Sequence, residues 1–217
     1  MRRILRSTVI IGLIISLTAV SAPAQAAPSY DGIVPTGNLD RACLTVSGPD
    51  NGIPCQTDNA DVYWYADSND PGELEANDQD AVRSMLANQY SPTHLAIHYD
   101  STPVFDGTAQ TDIVYQEAEA ALPIPSGYYG FMWCNTQAPA YYECDQAYIR
   151  IQSPDGYRID GGSIGCHETG HAVGLVHGSD AYPAVSDGSS AVGCMNNADQ
   201  NPPDLGANNV YFINATY

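Results

Sequence analysis

The sequence contains no lysine, and its seven arginines are far outnumbered by 25 acidic residues. Three arginines lie within the first six residues, whereas every acidic residue lies after residue 26, so the chain beyond that point has a net charge of −21. Such a charge repels nucleic acid and anionic membrane surfaces, which excludes both as partners. It also attracts basic substrates and calcium ions, although a requirement for solubility explains it equally well.

Long apolar runs are scarce, because only the stretch from Val9 to Val20 is long enough to suggest export or membrane insertion. Arginines precede it, and an Ala-x-Ala pattern ends at Ala26. We therefore predict that residues 1–26 form a signal peptide and that the mature, secreted chain begins near Ala27. The alternative is a permanent membrane anchor, although the run is short for a spanning helix. The remaining residues, about 190, suffice for one domain, which we expect to be a monomer without stable membrane association.

The six cysteines lack the close C-x-x-C spacing of a thiolate zinc site. In an exported chain they predict three disulfides instead. Proximity in the sequence favours the following pairs, although other pairings remain open: Cys43–Cys55, Cys134–Cys144 and Cys166–Cys194.

Residues 27–60 are rich in glycine, proline, asparagine and aspartate and contain few apolar side chains. This composition predicts an extended N-terminal segment with many turns, stapled by one disulfide. The segment is either the remnant of a propeptide or a wrap around the domain. It contains no cysteine-bearing inhibitory motif.

Residues 61–217 predict an α+β fold. A strand from Asp61 to Ala66 is followed by a helix from about Glu73 to Tyr90, in which apolar residues recur at helical spacing. The order of one strand, one helix and four further strands predicts a mixed, twisted sheet backed by one long helix. The four further strands are predicted from their β-branched and aromatic residues at His94–Tyr99, Asp112–Gln116, Gly127–Cys134 and Ala147–Gln152.

The segment from His167 to His177 contains the pattern H-E-x-x-H-x-x-G-x-x-H. Residues four apart on a helix lie one turn above each other, so His167 and His171 can both reach a single zinc ion at about 2.0 to 2.1 Å. Glu168 lies beside that metal. Its carboxylate can act as a general base on a metal-activated water that attacks a carbonyl group, and then pass the proton to the leaving amine.

The helix must end soon after His171, because His177 cannot reach the same metal from a straight helix. Gly174 can adopt the left-handed conformation that ends a helix and turns the chain back. We therefore predict zinc binding by His167, His171 and His177, with the fourth position left for water.

This pattern resembles the extended zinc motif of the metzincin clan of zinc endopeptidases. The clan also has a methionine turn beneath the metal ligands, for which Met195 is the candidate here. The resemblance implies a zincin-like upper lobe at 61–174 and a small irregular lower lobe at 175–217. It further implies a secreted zinc-dependent endopeptidase that acts on protein or peptide substrates. A tyrosine that provides a fifth ligand in some members is absent, because Asn197 stands there.

Three further histidine and aspartate positions have less specific interpretations. His94 and His98 are four apart, but in a strand that spacing is about 13 Å, so we expect ordinary surface or half-buried histidines. Asp180 is either a partner of a metal-binding histidine or a loop residue.

The chemistry of the motif leaves three functions open, namely a peptidase, a zinc hydrolase of a non-protein amide, and an inactive binding module. For a peptidase, the stretch from Gly127 to Trp133 is the candidate edge strand for an extended substrate. The alternative is that this stretch forms an irregular surface loop.

Overall fold

The computed structural model describes residues 56–107, 109–137, 143–152, 161–197 and 204–217. The predicted signal peptide and the Cys43–Cys55 pair lie outside these residues. The strands are β1 Gln56–Thr57, β2 Asp61–Ala66, β3 Ala96–Tyr99, β4 Ile113–Glu117, β5 Gly130–Gln137 and β6 Glu143–Ile151. The α-helices are α1 Ala76–Met85, which continues as a π-helical turn at Leu86–Tyr90, α2 Gly161–Ala172 and α3 Ala207–Thr216. Two 3₁₀ segments lie at Gly178–Asp180 and Ser190–Met195.

The strands form one mixed sheet, as the sequence predicts. Strands β3, β2, β4 and β6 lie side by side in parallel, and β1 pairs in parallel with the start of β6. Strand β5 runs antiparallel along the other side of β6. Among the described residues, no strand pairs with the outer side of β5 or of β3, so these two strands form the edges of the sheet.

The core fills the space between this sheet and the helices α1 and α2. Val82 and Met85 of α1 are buried together with Ile149 and Ile151 of β6. Burial of each such aliphatic side chain contributes about 1.5 to 3 kcal/mol. Within the described residues, no helix is long and apolar enough to cross a membrane.

Several predicted boundaries are wrong, and local turns explain two of them. The first helix begins at Ala76 instead of Glu73, because Gly72 has a φ of 110° and the N–H of Leu74 donates to the carbonyl of Asp67. Strand β5 begins at Gly130 instead of Gly127, which has a φ of 95° and ends a turn. The alternative of an irregular loop is wrong from Gly130 onward.

Other strand ends also differ: β3 begins at Ala96 instead of His94, and β5 ends at Gln137 instead of Cys134. Strand β6 begins at Glu143 instead of Ala147, and β1 places Gln56 and Thr57 in the sheet although they belong to the predicted N-terminal segment. The lower lobe is less irregular than predicted, because it contains helix α3, which was not anticipated. Asn209 Oδ1 accepts the N–H of Gly206 at 2.9 Å and so caps the start of α3.

Candidate metal centre

Helix α2 places two of the predicted histidine ligands, His167 and His171, on one face. The chain after the helix brings the third, His177, back to them. Nε2 of His177 lies 3.1 Å from Nε2 of His167 and 3.1 Å from Nε2 of His171. Three nitrogens at the corners of a zinc tetrahedron with bonds of 2.0 to 2.1 Å are about 3.3 Å apart. The three histidines therefore form a group that could hold a metal ion.

Hydrogen bonds at the opposite ring nitrogens favour the metal-binding form of two histidines. Nδ1 of His167 lies 2.7 Å from the carbonyl oxygen of Cys194, and Nδ1 of His171 lies 3.0 Å from that of Leu175. A carbonyl oxygen only accepts, so each Nδ1 carries the proton and donates it. The lone pair of each imidazole is consequently on Nε2, which faces the centre of the group.

Burial keeps His171 in its neutral form. Its side chain is almost fully buried, and this loss of solvation lowers the pKa of His171 to about 3. The neighbouring His177 lowers this pKa further, whereas the hydrogen bond to Leu175 raises it. A histidine that resists protonation offers its lone pair to a cation over a wide pH range.

This pKa predicts that the metal-free protein loses stability on acidification. Below the ordinary pKa of 6.5, the unfolded chain binds a proton at His171 that the folded protein does not accept until about pH 3. Stability should therefore fall as the pH decreases through that window. The variant His171→Gln does not titrate and should show a smaller decrease, as measured by urea unfolding in the presence of a chelator.

The matched control for this measurement is His98→Gln, which removes an exposed histidine of β3. Burial raises the pKa of Asp112 to about 7, so Asp112 contributes to the pH dependence with the opposite sign. Asp112 is present in the wild type, in His171→Gln and in His98→Gln, so its contribution to the pH dependence of stability cancels when these proteins are compared. Equal pH dependence in the wild type and in His171→Gln would contradict the prediction.

Gly174 ends helix α2, as the sequence predicts. Its φ is 94°, which lies in the left-handed region, and the N–H of Leu175 donates to the carbonyl of Gly170 at 2.8 Å. The chain thereby reverses direction within three residues. This reversal brings His177 back to His167 and His171.

We expect Gly174→Ala to weaken both the fold and metal binding. A side chain in the left-handed region costs about 1 to 2 kcal/mol, and relief of this strain would displace His177. The control is Gly107→Ala, because Gly107 has a φ of 98° and no atom lies within 4 Å of its Cβ position. Both variants should lose similar stability in thermal unfolding, but only Gly174→Ala should bind zinc more weakly. Equal zinc affinity of the two variants would contradict this role.

Glu168 lies on α2 beside the edge strand of the sheet. Its side chain is 7% exposed, and the Cβ position of Gly130 lies 2.5 Å from its Oε1. The carboxylate is therefore at the start of β5, on the helix that carries two of the histidines. This arrangement places an acid-base group at the strand that forms an edge of the described sheet.

Met195 packs against helix α2, which carries His167 and His171. It is fully buried, and its Sδ contacts the position that a Cβ of Gly170 would occupy. Any side chain at Gly170 would therefore push Met195 away from the residue that precedes His171. Gly170 was not predicted to matter, because its partner is 25 residues away and the motif permits any residue at that place.

Two predicted disulfides are present among the described residues. Cys134–Cys144 joins β5 to β6. Cys166–Cys194 joins α2 to the segment that contains Met195. The second disulfide lies next to His167 in the sequence, and the carbonyl of its Cys194 is the partner of His167 Nδ1.

Two buried tyrosines attach α2 to the upper lobe, and neither was identified from the sequence. The hydroxyl of Tyr90 donates to the carbonyl of Cys166 at 2.6 Å, and that of Tyr115 lies 2.7 Å from Thr169 Oγ1. Burial raises the pKa of both hydroxyls, so they remain protonated and able to donate. These bonds flank the His167–Glu168 pair on the helix.

Asp187, and not Asp180, supports the segment that carries His177. Asp180 is exposed and lies in the 3₁₀ segment Gly178–Asp180 instead of in a loop. Asp187 Oδ1 accepts the N–H of Ser179 at 2.7 Å, and this bond is the main reason why the pKa of Asp187 is lowered. His177 also contributes to that lowering, so the two side chains lie close enough to interact.

The other two histidines and a cluster of carboxylates lie apart from the group formed by His167, His171 and His177 among the described residues. His94 and His98 are both exposed, as expected for surface histidines, and His98 stacks on Tyr63. The carboxylates of Glu75, Asp78 and Glu117 lie within 4.8 Å of one another and form a second group of oxygen ligands that could hold a cation. Oxygen ligands suit calcium, whereas the histidine group suits zinc.

The donor atoms of the histidine group indicate what chemistry this site can perform. Three imidazoles whose Nε2 atoms converge, together with a carboxylate on the same helix, can bind a transition metal and transfer protons. The sequence matches no protein-family model and no significantly similar curated protein. A function for this protein is therefore inferred mainly from the geometry of the histidine group.

Proposed function

We propose that this protein is a secreted zinc-dependent endopeptidase of the metzincin type. The observation that carries the proposal is the convergence of three histidine Nε2 atoms, with Glu168 directly after His167 on helix α2 and its carboxylate at the start of β5. The Met195 segment beneath the helix and the helix-ending Gly174 support the same assignment.

Zinc fits the donor set better than other common cations. Imidazole nitrogens bind zinc well, whereas calcium and magnesium require oxygen ligands. Zinc bound to these histidines would polarise the scissile carbonyl group and make water a stronger acid. His167 and His171 are oriented for this role by the carbonyls of Cys194 and Leu175.

Glu168 would perform the proton transfers of peptide hydrolysis. Its carboxylate takes a proton from the attacking water, which forms a bond to the carbonyl carbon. The same carboxyl group then donates that proton to the amide nitrogen as the C–N bond breaks. The low exposure of Glu168 limits the access of bulk water to this step.

Strand β5 would bind the substrate as an additional strand. It is an edge of the sheet, and its first residue touches Glu168. A peptide paired with β5 would have its backbone held in an extended conformation next to the histidine group. The predicted substrate strand is therefore retained, with its start moved from Gly127 to Gly130.

Hydrogen exchange should locate the substrate on β5. We expect a peptide hydroxamate bound to the zinc-loaded Glu168→Gln variant to slow amide exchange within Gly130–Gln137. Strand β3, Ala96–Tyr99, provides the internal control, because it is the opposite edge of the same sheet. Protection of β3 without protection of β5 would show that the substrate binds elsewhere.

Proteolysis of denatured casein tests the proposed function. The purified protein should degrade casein, a chelator should stop the reaction, and added zinc should restore it. Protein without its first 26 residues should be found in the culture medium, with an N-terminus near Ala27. If casein remains intact while small amides are hydrolysed, the protein is an amidase. If zinc binds and neither substrate is cleaved, it is a binding module.

A further inference from the structure

Gly130 lies directly against the side chain of Glu168. A Cβ at Gly130 would stand 2.5 Å from Glu168 Oε1, 2.7 Å from Glu168 Cγ and 2.5 Å from Ile164 Cγ2. Cβ atoms essentially never approach other heavy atoms within 3.0 Å. Any residue other than glycine at this position therefore requires either the strand, or both Glu168 and Ile164, to move.

The two neighbouring side chains differ in what their movement would change. Ile164 is 6% exposed and belongs to the core between α2 and the sheet, so its movement would disturb packing. The Glu168 carboxylate is the end of a flexible side chain, and a change of rotamer would relieve its contact with less repacking. Together with a shift of the Ile164 side chain, such a change would move the carboxylate while leaving the helix in place.

We propose that Gly130 is a positioning residue. Because it has no side chain, it leaves the space in which the Glu168 carboxylate lies in position for proton transfer. This inference rests on the proposed function of Glu168. The three atoms nearest to the Cβ position of Gly130 belong to Glu168 and Ile164, and none belongs to a metal-binding histidine. Metal binding should therefore be independent of Gly130.

The backbone of Gly130 has a separate relation to substrate binding. Gly130 pairs with Ile151 as the first residue of β5, and alanine at this position retains the same N–H and C=O groups. Pairing of a peptide with the outer side of β5 should thus be little affected. The substitution Gly130→Ala is expected to lower kcat and to leave KM nearly unchanged.

The test compares the zinc-loaded wild type with Gly130→Ala on a fluorogenic peptide derived from casein. We expect kcat to fall at least about tenfold, since general acid-base catalysis contributes about 10² to 10⁴ in rate. KM should change less than about threefold, and zinc content should equal that of the wild type. Gly165→Ala is the matched control on the same helix: its Cβ would stand 3.3 Å from Cε of Met85, which is the end of a flexible side chain and can shift by a few tenths of an ångström. This variant should retain the wild-type rate.

A double-mutant cycle separates an effect through Glu168 from a general disturbance of the fold. In a Glu168→Ala background, Gly130→Ala should cause no further loss of rate, because the displaced carboxylate is already absent. A full additional loss in this background would overturn the proposal. Unchanged kcat in Gly130→Ala, or loss of its zinc, would overturn it as well.

Two further measurements keep the proposal testable if Gly130→Ala or the wild type behaves unexpectedly. If Gly130→Ala does not fold, the added substitution Ile164→Ala removes the second close contact, and failure of this variant to fold as well would show that Gly130 serves packing alone. If the wild type has no chelator-sensitive activity, the proposed function is wrong. The crystal structure of zinc-loaded Gly130→Ala then decides, because a carboxylate of Glu168 in its original position would overturn the positioning role.

Discussion

Replacement of Glu168 by glutamine is expected to remove nearly all peptidase activity while the protein retains its zinc. Glutamine has the same shape as glutamate, so its packing against Gly130 and Ile164 is preserved. It cannot take a proton from water at neutral pH, and the loss of a general base lowers rates by about 10² to 10⁴. The three histidines that would hold the metal are unchanged. Steady-state kinetics on a peptide substrate and metal analysis of the same sample measure both effects.

The control for this variant is Glu73→Gln, which makes the same chemical change at an exposed residue before α1. It should match the wild type in rate and in zinc content. A Glu168→Gln variant that retained more than about a tenth of the wild-type rate would exclude Glu168 as the general base. Loss of zinc from Glu168→Gln would instead assign the residue to metal binding.

The parts of the fold that could be predicted are those encoded by neighbouring residues. The turn at Gly174 depends on a glycine at fixed spacing from His171 and His177, and the structure has the left-handed φ that this spacing requires. Strands β2 and β4 are rich in β-branched and aromatic residues and were located within one residue at either end. Helix α3 could not be predicted in this way, because it contains three asparagines, a poor helix former, and buries Asn208 and Asn209 beside Ile213.

The contacts that hold the candidate site in place could not be predicted from the spacing of residues in the sequence, because these contacts join residues that are far apart in the chain. Gly130 and Glu168 are 38 residues apart, and the Tyr90 hydroxyl bonds a carbonyl 76 residues away. A glycine at the start of a strand has no pattern that identifies the side chain it faces. The cysteines are the exception, since their number and order suggested the Cys166–Cys194 link before its contacts were known.

Removal of the Cys166–Cys194 disulfide by the double substitution Cys166→Ser, Cys194→Ser should destabilise the protein and weaken zinc binding together. The bond closes a separation of 28 residues. In the chain-entropy model such a loop contributes about 3 to 4 kcal/mol to the free energy of unfolding. Without the bond, the carbonyl of Cys194 is less firmly held against His167 Nδ1. Loss of such a partner typically lowers metal affinity by about 10-fold to 100-fold.

The double substitution Cys134→Ser, Cys144→Ser is the matched control, because it removes the other described disulfide, which closes a separation of 10 residues between β5 and β6. This control should lose about 2 to 3 kcal/mol of stability in the same model, with its zinc affinity unchanged. Denaturant unfolding and competition with a zinc-binding dye measure the two quantities separately. In excess zinc, both variants should retain the wild-type kcat at a temperature where they are folded. Equal zinc affinities of the two variants would show that the disulfide stabilises the lower lobe without orienting His167.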